Sequence, residues 1–89
     1  ADDVSNDMTG QAREEFSFIK RVLEEAGYEM ADVVKLQAFI TDAHNYPAYS
    51  AVRKEFFPQE PPASTAVITN LLIPDALVEI DVVAYKEDI

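Results

Sequence analysis

Two carboxylates near the end of the chain are the most informative candidates for chemistry. Glu79 and Asp81 alternate with apolar residues in a segment rich in β-branched side chains, so both should project from one face of a strand. The strand rise then separates their Cα atoms by roughly 6.5–7 Å. If another subunit covers this face, a carboxylate there becomes partly desolvated and can hold or move a proton. The alternative, which composition alone favours, is a half-exposed face with two solvated acids.

Hydroxyl side chains form the second candidate group. Ser64 and Thr65 follow a Pro-Pro-Ala segment at the start of a predicted strand, where hydroxyls can bind a substrate carboxylate or satisfy backbone groups of the turn. The single histidine, His44, lies in a predicted loop without a recognisable triad partner. A Ser-His-acid hydrolase is therefore not expected.

Composition excludes several other classes of site. The chain has no cysteine and one histidine, which excludes thiolate and multi-histidine metal sites, and no acidic or Gly-rich loop has the spacing of a calcium or phosphate site. We therefore expect no metal and no cofactor. The net charge of −10 would repel phosphate backbones, so no nucleic-acid partner is expected. No apolar run is long enough to span a membrane, which predicts a cytoplasmic protein with no membrane partner.

The elements that must position these residues begin with a helix from about Asp7 to Ala26. Asp7 or Thr9 can cap it, and Gly27 follows where a left-handed residue ends many helices. One face repeats at helical spacing and should be buried: Met8, Ala12, Phe16, Ile19, Leu23 and Ala26. Charged residues, among them Glu14 and Glu15, are assigned to the outer face.

A strand and a second helix are predicted next. Residues 33–40 alternate, with Val34, Leu36, Ala38 and Ile40 on one side. Asn45 is a candidate N-cap with Pro47 in the first helical turn, and the helix should stop at Phe57 before three prolines. Its predicted apolar stripe consists of Tyr49, Val52 and Phe56.

Two more strands complete the order, from Ala63 to about Leu72 and from Ala76 to Tyr85. In the last strand, Val78, Ile80, Val82 and Ala84 should face the helices, with Leu77, Glu79, Asp81, Val83 and Tyr85 opposite. The order of helix, strand, helix, strand, strand predicts an α+β domain of one sheet and one helical layer. Three strands are few for two helices, so we expect further strands from an N-terminal segment or from neighbouring chains.

Several short segments together resemble the RidA/YjgF/UK114 family, over about Thr9 to Tyr85. The segments are Glu24-Glu25-Ala26-Gly27, Asp32-Val33-Val34-Lys35, Phe39-Ile40-Thr41-Asp42, Glu55-Phe56-Phe57-Pro58, Pro62-Ala63 and Asp75-Ala76-Leu77-Val78-Glu79-Ile80. The resemblance implies a chorismate-mutase-like (YjgF-like) α+β fold with helices on one face of a mixed sheet. It also implies a homotrimer with small-molecule clefts between subunits, and hydrolysis of reactive enamines and imines to 2-oxo acids and ammonia. Family members begin with a β-hairpin, so residues 1–89 should form a single domain shortened at its N-terminus.

The resemblance also assigns roles to particular residues. Glu79 matches the glutamate that positions the attacking water, whereas Ser64 occupies the place of the arginine that binds the substrate carboxylate. Ser50 stands where many members have Asn and Arg53 where many have Tyr, so Ser50, Ser64 and Thr65 are the expected substrate-binding residues. A serine has no guanidinium that could pair with both oxygens of a substrate carboxylate, which lowers the expected activity on amino-acid imines. The alternative is a noncatalytic trimeric module that binds a metabolite or another protein.

Overall fold

The computed structural model describes residues 7–87, and the description that follows concerns these residues. The elements are α1 (Met8–Glu25), β1 (Val33–Ile40), α2 (Tyr46–Phe56), β2 (Ala63–Ile68) and β3 (Val78–Ala84), with single 3-10 turns before β1 and before α2. The predicted order of helices and strands is confirmed. The predicted domain over 1–89 includes residues 1–6, 88 and 89, which lie outside the described residues.

Helix α1 has the ends that its sequence predicts. Asp7 is the N-cap, and its Oδ1 accepts a hydrogen bond from the Gly10 amide at 2.6 Å. Gly27 has φ +89, a backbone conformation that residues with a Cβ adopt at a cost. The Tyr28 amide donates to the Leu23 carbonyl at 2.8 Å, which closes the last turn.

The sheet has three strands in the order β2-β1-β3, with β1 parallel to β2 and antiparallel to β3. Both helices pack on one face of this mixed sheet, since α1 contacts both α2 and β3. The predicted α+β architecture is therefore confirmed. The strand register also assigns each side chain to a face, because residues directly opposite each other on neighbouring strands project to the same side.

The core lies between the helices and the sheet. Phe16 is at its centre, with its ring stacked on Phe56 and Tyr49 at centroid distances of 5.3 and 6.1 Å. The buried hydrophobic residues are Met8, Ala12, Phe16, Val33, Leu36, Ala38, Ile40, Tyr49, Val52, Phe57, Val78 and Ile80. Every helix contributes its predicted apolar face to this core, although Ala26 at the end of α1 is exposed.

The predicted alternation of β1 is wrong at its first residue, Val34. Val33 is buried and Val34 is 49% exposed, whereas the alternation predicts Val34 on the same side as Leu36, Ala38 and Ile40, which are buried. The pairing of β1 with β3 shifts register between Val33 and Lys35, so the period of two is interrupted there. From Leu36 onward the predicted alternation is confirmed.

Asn45 occupies the predicted N-cap position of α2, with Pro47 in the first turn, but its side chain makes no cap hydrogen bond. The preceding turn is capped by Asp42, whose Oδ1 accepts from the His44 amide at 2.9 Å. Two local predictions at the ends of strands are wrong. Strand β2 ends at Ile68, not near Leu72, because its parallel partner β1 ends at the paired residue. Leu77 precedes β3 and is half-buried against the core, so it does not share the face of Glu79.

Candidate functional site

The face of the sheet that carries no helix holds the two candidate carboxylates. The register forms two neighbouring rows across the three strands, Thr65-Gln37-Asp81 and Val67-Phe39-Glu79. Glu79, Asp81 and Thr65 are all exposed on this surface, which we call the open face. The open face also exposes apolar side chains, with Val67 at 41% and Val83 at 54%. The structure thus places Glu79, Asp81 and Thr65 on one surface that mixes acids with apolar groups.

The other two predicted binding residues lie on the helix side of the sheet. Ser64 is opposite the buried Leu36, so it projects toward the helices, and it is joined to Ser50 through one guanidinium. Arg53 Nη1 donates to Ser64 Oγ at 3.2 Å, and Arg53 Nη2 donates to Ser50 Oγ at 3.3 Å. The two serines therefore belong to one cluster, with Arg53 at its centre.

Within one chain the two groups are separate. Ser64 lies in the row of Leu36, and Glu79 lies in the row of Phe39, three residues along the sheet and two strands across. Strand rise and strand spacing separate the Cα atoms of Ser64 and Glu79 by about 14 Å, with the side chains on opposite faces. A small ligand in contact with both would have to lie between two chains.

A further titratable residue lies beside the open face, at the free edge of β3. Glu15 is half-buried on α1, and its Oε1 accepts a hydrogen bond from the Ile80 amide at 2.9 Å. Burial raises the pKa of Glu15 to about 7, and the charges of Glu79 and Asp81 act in the same direction. The assignment of Glu15 to the solvated outer face is therefore wrong.

Glu15 is half-buried because α1 packs against the edge of β3. Gln11, one helical turn before Glu15, accepts from the Leu77 amide at 2.6 Å and donates to the Asp75 carbonyl at 2.9 Å. Gln11 and Glu15 are thus a pair at i and i+4 that follows the strand edge, where backbone amides have no strand partner among the described residues. The one signal in the sequence is their position next to the buried Ala12 and Phe16.

The remaining features do not add catalytic groups. His44 is exposed in the turn before α2, as predicted. A groove of about 740 Å³ runs along residues 58–62 beside Val34 and Phe57, and none of the predicted site residues lines it. Within residues 7–87, no three His, Cys, Asp or Glu side chains are placed to share a metal ion, and neither helix is long and apolar enough to cross a membrane.

Comparison with known proteins gives consistent matches. The family model described as Endoribonuclease L-PSP matches residues 2–86. A RutC family protein of Pyrococcus horikoshii is 37% identical over 84 residues, which is 94% of this chain and 67% of that protein. The structure of a YjgF/YER057c/UK114 family member from Mycobacterium tuberculosis superposes with a TM-score of 0.88 at 30% identity, over 91% of this chain and 70% of that one.

A third relative shows how much of a family member is present. The structure of a proposed endoribonuclease from Klebsiella pneumoniae superposes with a TM-score of 0.82 at 35% identity, over 86% of this chain and 59% of that one. The chain thus spans only part of the length of its relatives. The resemblance that the sequence motifs indicate is confirmed, and this chain belongs to the Endoribonuclease L-PSP family, the family of YjgF and UK114.

Proposed function

We propose that the chain is one subunit of a homotrimer that hydrolyses a small enamine or imine in clefts between subunits. Glu79 positions the attacking water, and Ser50, Ser64 and Thr65 contact the substrate. One observation carries the proposal: Glu79 stands on an open face that also exposes apolar side chains, among them Val67 and Val83. Monomeric proteins seldom leave such a surface uncovered on a sheet, because an apolar face gains free energy when it is buried.

The separation of the site residues supports a cleft between subunits. Ser64 and Glu79 project from opposite faces of the same sheet, so a single chain cannot present both to one small molecule. Strand β2 is exposed along all six residues, which leaves it available to a neighbouring chain. Packing of the open face against a second subunit would bring Glu79 of one chain toward other polar groups and would exclude water from its surroundings.

The reaction requires only that the protein position a water molecule and transfer protons, because the carbon of an imine is already electrophilic. The Glu79 carboxylate accepts a proton from water as the water oxygen forms a bond to that carbon, and it passes this proton to the imine nitrogen, which gives a carbinolamine. Glu79, charged again, then accepts the hydroxyl proton and delivers it to the nitrogen as the carbon–nitrogen bond breaks. Ammonia leaves, and Glu79 is restored in its charged form. The products are a carbonyl compound and ammonia, with no oxidant or cofactor consumed.

The decisive experiment compares two neighbouring carboxylates on the open face. Ammonia release from imines generated in solution by an amino-acid oxidase should be faster with the protein than in buffer. Glu79→Gln should lower that rate about 100-fold or more, since loss of a general base costs about 10²–10⁴-fold. Asp81→Asn is the matched control, because Asp81 lies on the same face two residues away, and it should retain the rate within a few-fold.

The alternative is a noncatalytic trimer that binds a metabolite or a protein in the same clefts. Without acceleration over buffer for any of several imines, hydrolysis would be rejected and the alternative adopted. A ligand that binds only the folded state raises the melting temperature, so a screen of small 2-oxo acids and amides would then identify what binds.

Cleavage of RNA, which the name of the family model suggests, is disfavoured by charge. The chain has 17 acidic and 7 basic residues, and an RNA backbone would meet repulsion over most of the surface. Incubation of a labelled single-stranded RNA with the protein should leave it intact, and cleavage that Glu79→Gln abolishes would replace the proposed reaction with this one.

A further inference from the structure

Two apolar features of the chain lie uncovered at opposite ends of the sheet. The first is in the loop of residues 69–77 between β2 and β3, where Leu72 is 99% exposed and Ile73 is 67% exposed. The Ala76 amide donates to the Ile73 carbonyl at 3.0 Å, which closes a turn at this point. We call Leu72 and Ile73 the apolar tip. Within residues 7–87 no group covers Leu72, so a single chain gains no burial from this side chain.

The second feature is the groove at the other end of the sheet, beside the first residues of β1 and β2. Its volume is about 740 Å³, and apart from Gln59 and Glu60 its lining is apolar. The lining includes Val34, which is 49% exposed, and Phe57. This volume is within the range of cavities that enclose small organic molecules. The groove therefore has room for two aliphatic side chains.

One chain cannot place its own tip in its own groove. Strands β1 and β2 run parallel, the groove lies where they begin, and the tip follows the end of β2. The strand rise separates the two features by about 20 Å along the sheet. Two complementary surfaces at opposite ends of one chain fit a head-to-tail contact between copies, which closes into a ring when the rotation between copies permits it.

The charges beside the two features are complementary as well. Asp75 closely follows the tip in the same loop and is exposed. Arg53 and Lys54 border a smaller cavity of about 290 Å³, which shares Phe57 and Pro58 with the groove. A tip seated in the groove would thus bring a carboxylate toward two of the 7 basic residues in the chain. This pairing of opposite charges favours a second copy as the occupant of the groove.

We propose that the apolar tip of one copy inserts into the groove of a second copy. The contact would also join the two parts of the candidate site that one chain keeps apart. Glu79 lies shortly after the tip in the sequence, and Ser64 directly follows Ala63, which lines the groove. A seated tip therefore brings Glu79 of one chain toward Ser64 of the next. This shared cleft rests on the proposed function, whereas the contact between copies does not require it.

The first test changes each surface at an exposed residue, so that the fold of one chain is retained. Leu72→Ser should raise the dissociation constant of the assembly about 10- to 100-fold, because a large aliphatic side chain is removed from an apolar contact. Val34→Glu should weaken the assembly from the groove side, because it places a charge in that contact. Sedimentation at several protein concentrations measures the constant, and far-UV circular dichroism confirms the fold.

The matched controls are Val22→Ser and Val22→Glu. Val22 is 47% exposed, as Val34 nearly is, but it lies on the outer side of α1, away from both surfaces. Both controls should assemble like the wild type. Wild-type assembly of Leu72→Ser and Val34→Glu would overturn the contact.

A second test identifies the surfaces that meet. The chain has no cysteine, so Leu72→Cys and Pro58→Cys can be combined in one chain and treated with a short bis-maleimide. The reagent cannot span the distance of about 20 Å within one chain, so any product joins different chains. The double variant should give covalent trimers in dilute protein. Leu72→Cys combined with Val22→Cys is the control and should give none, and equal linkage of both proteins would overturn the contact.

The outcomes separate this contact from the proposed reaction. If the wild type releases no ammonia from imines but Leu72→Ser dissociates, the contact stands and the hydrolysis is rejected. If Leu72→Ser keeps both the trimer and the rate of ammonia release, the hydrolysis stands and the contact is rejected. Linked chains of more than three copies would support the contact and reject the homotrimer, and a monomeric wild type would reject both.

Discussion

The two faces of the sheet differ in what covers them, although the same strands build both. On the helix side, Val78 and Ile80 of β3 are buried in the core, where α1 packs on the strand. On the open face, Val83 of the same strand is more than half exposed, and it follows Glu79 and Asp81, which are exposed as well. A strand projects alternate residues to opposite faces, and both faces belong to the same strands. The two faces therefore differ in exposure because the helices cover only one of them.

This contrast separates stability from function in the chain. The covered face contains the apolar contacts that hold the domain together, whereas the open face contributes little to folding of a single chain. Side chains that add nothing to the fold of one chain are free to serve a partner or a ligand. We therefore expect substitutions on the two faces to have different consequences, and the following three predictions test that expectation.

The largest expected effect is on assembly. Val83→Glu adds a carboxylate to the open face beside Glu79 and Asp81 and should dissociate the proposed trimer into smaller species, because burying like charges together is costly. Val22→Glu is the matched control: Val22 is 47% exposed, but it lies on the outer side of α1. The control should remain trimeric by light scattering. A wild type that is already monomeric would remove the intersubunit cleft from the proposed function.

The next effect is on stability, and it compares two valines in one strand. Val78→Ala should lower the free energy of unfolding by about 2 kcal/mol, since two buried carbon atoms are lost and a cavity remains. Val83→Ala should cost less than about 0.5 kcal/mol in dilute protein, with a cost that grows as protein concentration rises, because it acts on association. Denaturant unfolding at several protein concentrations measures both. A large, concentration-independent loss in Val83→Ala would mean that part of the same chain covers this face.

The smallest effect concerns the border between the faces, where Glu15 reaches the edge of β3. Burial raises the pKa of Glu15 from 4.5 to about 7, so between these values the folded protein holds a proton that the unfolded chain releases. The contribution of Glu15 to stability is therefore complete below about pH 4.5 and is lost as the pH rises through about 7. Glu15→Gln keeps an acceptor for the Ile80 amide without titrating.

The variant should match the wild type at about pH 4.5 and become the more stable of the two by about pH 7 and above. Thermal unfolding across this range measures the difference, and Glu14→Gln is the control because its side chain is exposed on the same helix. Parallel curves for Glu15→Gln and wild type would show that Glu15 is solvated in solution.

Local patterns in the sequence were enough to predict most of the architecture. The repeat of apolar residues at helical spacing predicts α1 with its cap at Asp7 and its end at Gly27, and alternation in β3 predicts that Glu79 and Asp81 share a face. These features depend on neighbours within a few residues, which is the range over which helix and strand periodicity act. The family motifs also predicted the type of fold from local segments, because they mark turns and strand ends in a fixed order along the chain.

The features that the sequence did not predict depend on contacts between elements. The buried position of Val33 in place of Val34 follows from a register shift against β3, and the position of Glu15 follows from how α1 crosses a strand edge 65 residues away. The cluster at Arg53 joins a helix to a strand eleven residues later, and no spacing in the sequence indicates that its guanidinium meets Ser64. Periodicity reports which side of an element a residue occupies, whereas packing decides what lies opposite it.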